Sequence, residues 1–217
     1  MKATRRIPPV REYPVSASNA PTLVLGHGAG AGQDHPWMRK VAQALADRDI
    51  RVVTFDFPYV ADGRSVPDRA PVLEAAFASV WIEAAAGRPG PMFAGGKSMG
   101  GRIASQVAAR GGLVPAPAGL VFFGYPLHPP AKPAQRRDAH LSSAGAPLLF
   151  LSGTKDPFGS PEEFSALVDG LNAATLELFV GGDHSIATRK KADAAGALLD
   201  RAVSSAAAWI KAVSGGA

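Results

Sequence analysis

The 217-residue sequence contains no cysteine. That excludes disulfide frameworks, zinc knuckles, iron–sulfur ligation and thiol nucleophiles, and it fits a reducing compartment. Aromatic residues are scarce at 7% and charged residues stand at 19%, below the average of about 25%. Low charge beside 47% hydrophobic residues excludes bulk disorder. No apolar run approaches ~18 residues, so no membrane-spanning helix is expected. The basic start (Arg5, Arg6, Arg11) is followed by no apolar stretch, so no secretory signal is expected either. Together these absences predict a cytoplasmic protein without a membrane partner.

Glycine (24) and proline (19) are abundant but fall short of low complexity, so they read as many turns in an ordered chain. The length suits one domain, here residues 22–217 behind an N-terminal extension over 1–21. The net charge is +5 and the pI is near 9.7. The positive residues are scattered and no recognition motif accompanies them, so no nucleic-acid partner is expected. The sequence carries no sign of its oligomeric state.

Short apolar runs alternate with helical patterns. Strands are expected at Thr22–Gly26, Val52–Phe57, Met92–Gly95, Leu120–Tyr125, Leu148–Ser152 and Thr175–Val180. Helices are expected at Trp37–Ala46, Val72–Ala86, Met99–Arg110, Pro161–Leu171 and Lys191–Val213. Nearly continuous apolar strands indicate a sheet covered on both faces. Strand–helix alternation indicates parallel βαβ units. The expected fold is therefore α/β, a doubly wound and mostly parallel sheet of about six strands flanked by helices. The one long irregular stretch runs from Pro126 to Pro147.

Open α/β sheets bind ligands at the carboxyl ends of their strands. The residues there include His27-Gly28-Ala29-Gly30, Gly96-Lys97-Ser98-Met99-Gly100, His128, Asp156 and Asp183-His184. Gly96 to Gly100 matches G-x-S-x-G between a strand and a helix, the context of a nucleophile elbow. A serine nucleophile needs a base, and the base needs an orienting acid. His184 lies after Ser98 and follows the last expected strand, so it is the base. Asp156 follows the preceding strand in a turn rich in Gly and Pro and is favoured as the acid, with Asp183 as rival. Oxyanion donors are expected from the backbone N–H of Met99 and of Ala29 in the loop after the first strand. Lys97 and His128 are candidate substrate-binding residues that favour an acidic acyl group.

Two competing motifs fail. A phosphate loop ending at Gly96-Lys97-Ser98 would need glycine at 91, where proline stands, and would use Met92 to Ala94 as loop. A dinucleotide fingerprint at Gly26-x-Gly28-x-x-Ala31 would place its acid, Asp56, too far along the chain. No histidine pair is spaced for a metal. No cofactor and no metal are expected. Asp34 with His35, and Asp138 with His140, read as loop hydrogen bonding.

The segments HGAGAGQDHPWM, GGKSMGGR, FFGYPLHPP followed by RDAHL, SGTKDPFG and GGDHS resemble the α/β-hydrolase superfamily. They are most similar to its small, uncapped dienelactone-hydrolase-like family, whose eukaryotic relatives include a testis-expressed protein and a histone-acetyltransferase-complex subunit. The resemblance implies Ser98, Asp156 and His184 in the triad roles, and Tyr125 to His128 with Arg137 to Leu141 at the border of the site. Dienelactone hydrolases proper use a cysteine nucleophile where this chain has Ser98. Only about twenty residues stand where larger esterases insert a cap. The function expected is a serine hydrolase acting on a small carboxylic ester, thioester or lactone. The alternative is a non-catalytic binding or scaffold protein on the same fold.

Overall fold

A computed structural model describes residues 9–188 and 196–215. Seven strands form one sheet: β1 (Val10–Tyr13), β2 (Thr22–Gly26), β3 (Arg51–Phe55), β4 (Met92–Lys97), β5 (Gly119–Phe123), β6 (Leu148–Gly153) and β7 (Ala174–Phe179). Their order is β1-β3-β2-β4-β5-β6-β7. Every pairing is parallel except β1 with β3. The sequence-based expectation of about six strands lacked only β1. This short edge strand lies within the segment read as an extension, and only Tyr13 in it is buried.

Among the described residues, six α-helices flank the sheet: α1 (Pro36–Ala46), α2 (Pro58–Ala61), α3 (Ala70–Ala85), α4 (Met99–Ala109), α5 (Pro161–Asp169) and α6 (Ala197–Gly215). The start expected for the last helix, residues 191–195, lies outside the described residues. Adjacent residues of one strand enter opposite cores. Val24, Ala94 and Phe122 pack on the side of α3 and α4, whereas Leu23, Leu25, Phe93 and Val121 pack on the side of α1 and α6. With both faces buried, each central strand is apolar at most positions, which explains its nearly unbroken hydrophobic run.

Among the described residues, no second layer stands over the sheet's carboxyl edge. Between β5 and β6 the chain forms only a single 3₁₀ turn at Leu141–Ser143. It folds back so that Tyr125, Leu127, Leu141 and Ala144 join the α3–α4 core. No helix among the described residues is long and apolar enough to cross a membrane.

The winding reverses at β2, which has β3 on one side and β4 on the other. The crossovers leaving β2 and β4 therefore diverge and open a crevice beyond their carboxyl ends. Residues 27–31 and 97–99 border that crevice.

Candidate active site

Ser98 joins β4 to α4 with φ 49° and ψ −114°. A left-handed φ is costly for a residue with a side chain and recurs at functional sites. The turn is held by the Ser98 N–H, which donates to Phe123 O at 3.1 Å. It is also tight. A β-carbon on Gly96 would come within 2.4 Å of Gly26 O, and one on Gly100 within 2.2 Å of the same atom. Only glycine lets the strand end and the first turn of α4 press against β2. The positive end of the α4 dipole thus points at the Ser98 region, where negative charge is favoured.

The loop after β2 lies against this turn. A β-carbon on Gly28 would sit 3.7 Å from Ser98 Cβ. His27 is fully buried and fixes the loop from below. Its Nε2 accepts from Phe57 N at 3.0 Å, so its Nδ1 carries the proton and donates to Gly28 O at 2.8 Å. Burial lowers its proton affinity, in keeping with a neutral ring. Asp56 holds the far end, accepting from Gln33 N at 2.7 Å and from Gln33 Nε2 at 3.1 Å.

His184 Nδ1 meets Asp156 Oδ2 at 2.8 Å. The other carboxylate oxygen accepts from Phe158 N at 2.9 Å. The Phe158 ring lies 4.2 Å, centroid to centroid, from the His184 ring. The Asp156 side chain is fully buried, and that of His184 is 20% exposed. With Nδ1–H donated to the carboxylate, Nε2 presents its lone pair. That atom is buried and has no hydrogen-bond partner among the described residues, so no bond joins it to Ser98 Oγ. A buried acceptor without a partner calls for one. Asp183 is occupied elsewhere, accepting from Ser185 N and Ala187 N within its own turn.

Lys97 Nζ donates to His184 O at 2.7 Å and lies 5.2 Å from the Trp37 ring centroid. Burial pushes its pKa down to about 8, against the pull of Asp156 and Asp183. Trp37 Nε1 donates to Ser185 O at 3.1 Å. The histidine loop is thereby pinned to both β4 and α1. Gly124, at φ +65°, lets it pass closely, since a β-carbon there would strike His184 O at 2.6 Å.

These parts share one cleft of about 500 Å³, lined by Ala29, Lys97, Ser98, Met99, Phe158 and His184 among others. Its size suits a small-molecule ligand. His128 does not line it. The His128 ring points toward α5, where Nε2 meets Glu163 Oε2 at 3.1 Å and Nδ1 meets Pro129 O at 2.9 Å. Asp34 and Asp138, the acids of the two close acid–histidine pairs, form ion pairs with Arg11 and Arg136. The cleft also contains Arg102 and Phe158, which sequence reasoning passed over. An aromatic residue two positions after the acid was the available signal for Phe158.

Residues 19–211 match the model of the alpha/beta hydrolase domain family. The chain belongs to that family. Solved hydrolases share its fold. It aligns with a dienelactone hydrolase from Anabaena variabilis at a TM-score of 0.66 and 18% identity, over 88% of this chain and 87% of that one. A serine hydrolase without a lid from Xanthomonas campestris aligns at 0.63 and 21%, over 87% and 83%. A proline iminopeptidase from Mycobacterium smegmatis aligns at 0.70 and 13%, over 96% and 98%. Neighbours that include both a dienelactone hydrolase and a peptidase show a shared fold, and a fold does not by itself fix the activity.

Proposed function

We propose that this hydrolase cleaves small carboxylic esters through Ser98, His184 and Asp156. The observation that carries this reading is the His184 ring. One nitrogen is tied to a buried carboxylate and the other is bare, in the same cleft as a serine on a left-handed turn.

In the first half-reaction Ser98 Oγ bonds to the acyl carbon while His184 Nε2 takes the hydroxyl proton. The carbonyl π pair moves to oxygen, and the N–H groups of Ala29 and Met99 hold the oxyanion. The pair returns, the alkoxy bond breaks, and the leaving alcohol takes the proton from His184. Water then attacks the acyl-enzyme with His184 again as base, releasing the acid and restoring Ser98. Lys97 serves this cycle as a positioning residue, because its ammonium is committed to His184 O. The short excursion between β5 and β6 favours an open site that admits short acyl chains.

The test is labelling with a fluorophosphonate, peptide mapping, and hydrolysis of a short-chain 4-nitrophenyl ester. Ser98 should label in the wild type, and much less in His184→Ala. Ser98→Ala should lose turnover by about 10³-fold or more with an unchanged melting temperature. Labelling elsewhere, or full turnover by Ser98→Ala, would overturn the triad. A folded protein that neither labels nor turns over ester would favour a binding role for the cleft.

A further inference from the structure

The wall of the cleft beside Ser98 carries two arginines without partners among the described residues. Arg102 lies about one helical turn along α4 from Ser98, about 6 Å on the axis, and its backbone N–H donates to Ser98 O at 3.1 Å. Arg137 comes from the excursion between β5 and β6, and both line the cleft. Neither side chain makes a hydrogen bond or ion pair among the described residues, and Arg102 Nε is buried without a partner. The neighbouring arginines differ. Arg64 takes Asp62 and Asp68, Arg110 takes Glu74, and Arg136 takes Asp138 and Glu163. Each of these carboxylates already pairs with an arginine; Glu74 also draws on Arg102 electrostatically, but no ion pair forms between the two. Burial disfavours the Arg102 cation, and the like charge of Arg137 disfavours it further. Two partly buried guanidinium groups facing one space are costly until an anion joins them.

The pair is also built in. Ser105 Oγ donates to Arg102 O at 2.8 Å and so accepts a hydrogen bond from His140 Nε2–H, also at 2.8 Å. Tyr125 OH donates to Arg137 O at 2.8 Å and lies 3.5 Å from the same His140 nitrogen. Arg137 N donates to Leu127 O at 2.8 Å. One polar network thus fixes the two backbone segments that carry the arginines. A rigid fork of donors on each side suits a planar, bidentate acceptor.

We infer that Arg102 and Arg137 form a carboxylate-binding subsite, and that the ester accepted by this cleft carries a free carboxylate a few bonds from its scissile carbonyl. This rests on the esterase reading for the scissile bond, but not for the binding. The test pairs acidic esters with neutral ones of equal length. Monoethyl glutarate is compared with ethyl pentanoate, and 4-acetoxybutanoate with butyl acetate, by pH-stat. The wild type should favour one acidic ester by about tenfold or more in kcat/KM. Arg137→Gln and Arg102→Lys should bring that ratio toward one. Tyr125→Phe, which frees Arg137 O, should lower it partway.

Glutarate binding to Ser98→Ala is measured by calorimetry, and should vanish when Arg137→Gln is added. Hydrolysis of acidic and neutral esters alike, with no glutarate binding, would overturn the subsite and leave the esterase reading standing. Glutarate binding that depends on Arg137, with no ester hydrolysed, would support the subsite and overturn the esterase reading. Binding of inorganic phosphate but not glutarate would overturn the carboxylate assignment.

Discussion

His184 is poised by three contacts of different kinds: a buried carboxylate on Nδ1, an aromatic ring on its face, and a lysine on its backbone oxygen. Asp156→Asn keeps the shape of the acceptor but adds a donor, and so favours the wrong imidazole tautomer. Ester turnover should fall by roughly 10³–10⁴-fold while stability changes little; steady-state kinetics beside a urea melt would check this. Lys97 carries a separate consequence. Between about pH 8 and its ordinary 10.5, the unfolded chain holds a proton on this residue that the folded chain has lost. Its contribution to stability therefore rises with pH across that window, and below it the buried cation is a cost. Relative to Lys97→Met, the wild type should gain stability from pH 8 upward in parallel denaturant titrations. A flat difference would contradict the burial argument. Ser98, Asp156 and His184 were legible because each stands at a strand end with turn residues around it. Arg102 was not, because an arginine on an amphipathic helix reads as solvated surface until its side chain is seen to line the cleft. His128 misled for the converse reason: a strand-end position says nothing of the direction in which the ring turns.

At the scale of elements, the decisive junction is where β2, β4 and α4 meet with only glycine between their backbones. Gly100→Ala would push a methyl into Gly26 O. Backbone on both sides cannot yield cheaply, so a loss of about 1–3 kcal/mol or more is expected, read as a shifted denaturation midpoint and reduced fluorophosphonate labelling. Apart from the start expected for the last helix, which lies outside the described residues, the helix and strand positions expected from periodicity agree with the structure to within a few residues, because each central strand is apolar on both faces. The misses have physical reasons. β1 is four residues long, with one buried side chain. α2 is a single turn set by Pro58 after Phe57. The stretch from Pro126 to Pro147 reads as irregular and largely is so, with residues 130–136 exposed, yet Leu127, Leu141 and Ala144 anchor it in the core at spacings with no period that sequence patterning detects.

Across the whole molecule, the sheet has two unlike edges. β1 covers β3 and brings Glu12 to Arg51 and Arg88, whereas β7 is half-exposed. Removing residues 1–14 would strip the β3 edge and unpair two arginines. An open strand edge is a template for association, so the truncated protein should melt earlier and self-associate, as read by calorimetry and light scattering. A full-length-like profile would show that β1 contributes little. The two arginines of the cleft are also anchored at different depths. Arg137 rides on a surface excursion that can change without disturbing the sheet, whereas Arg102 belongs to the helix whose first turn closes the glycine junction. In evolutionary terms the two are unequally replaceable. A lineage drifting toward neutral substrates can discard Arg137 at small cost to the fold. Arg102 stands in the helix that Ser98 caps, so its replacement must preserve both the packing of α4 and the placement of Ser98.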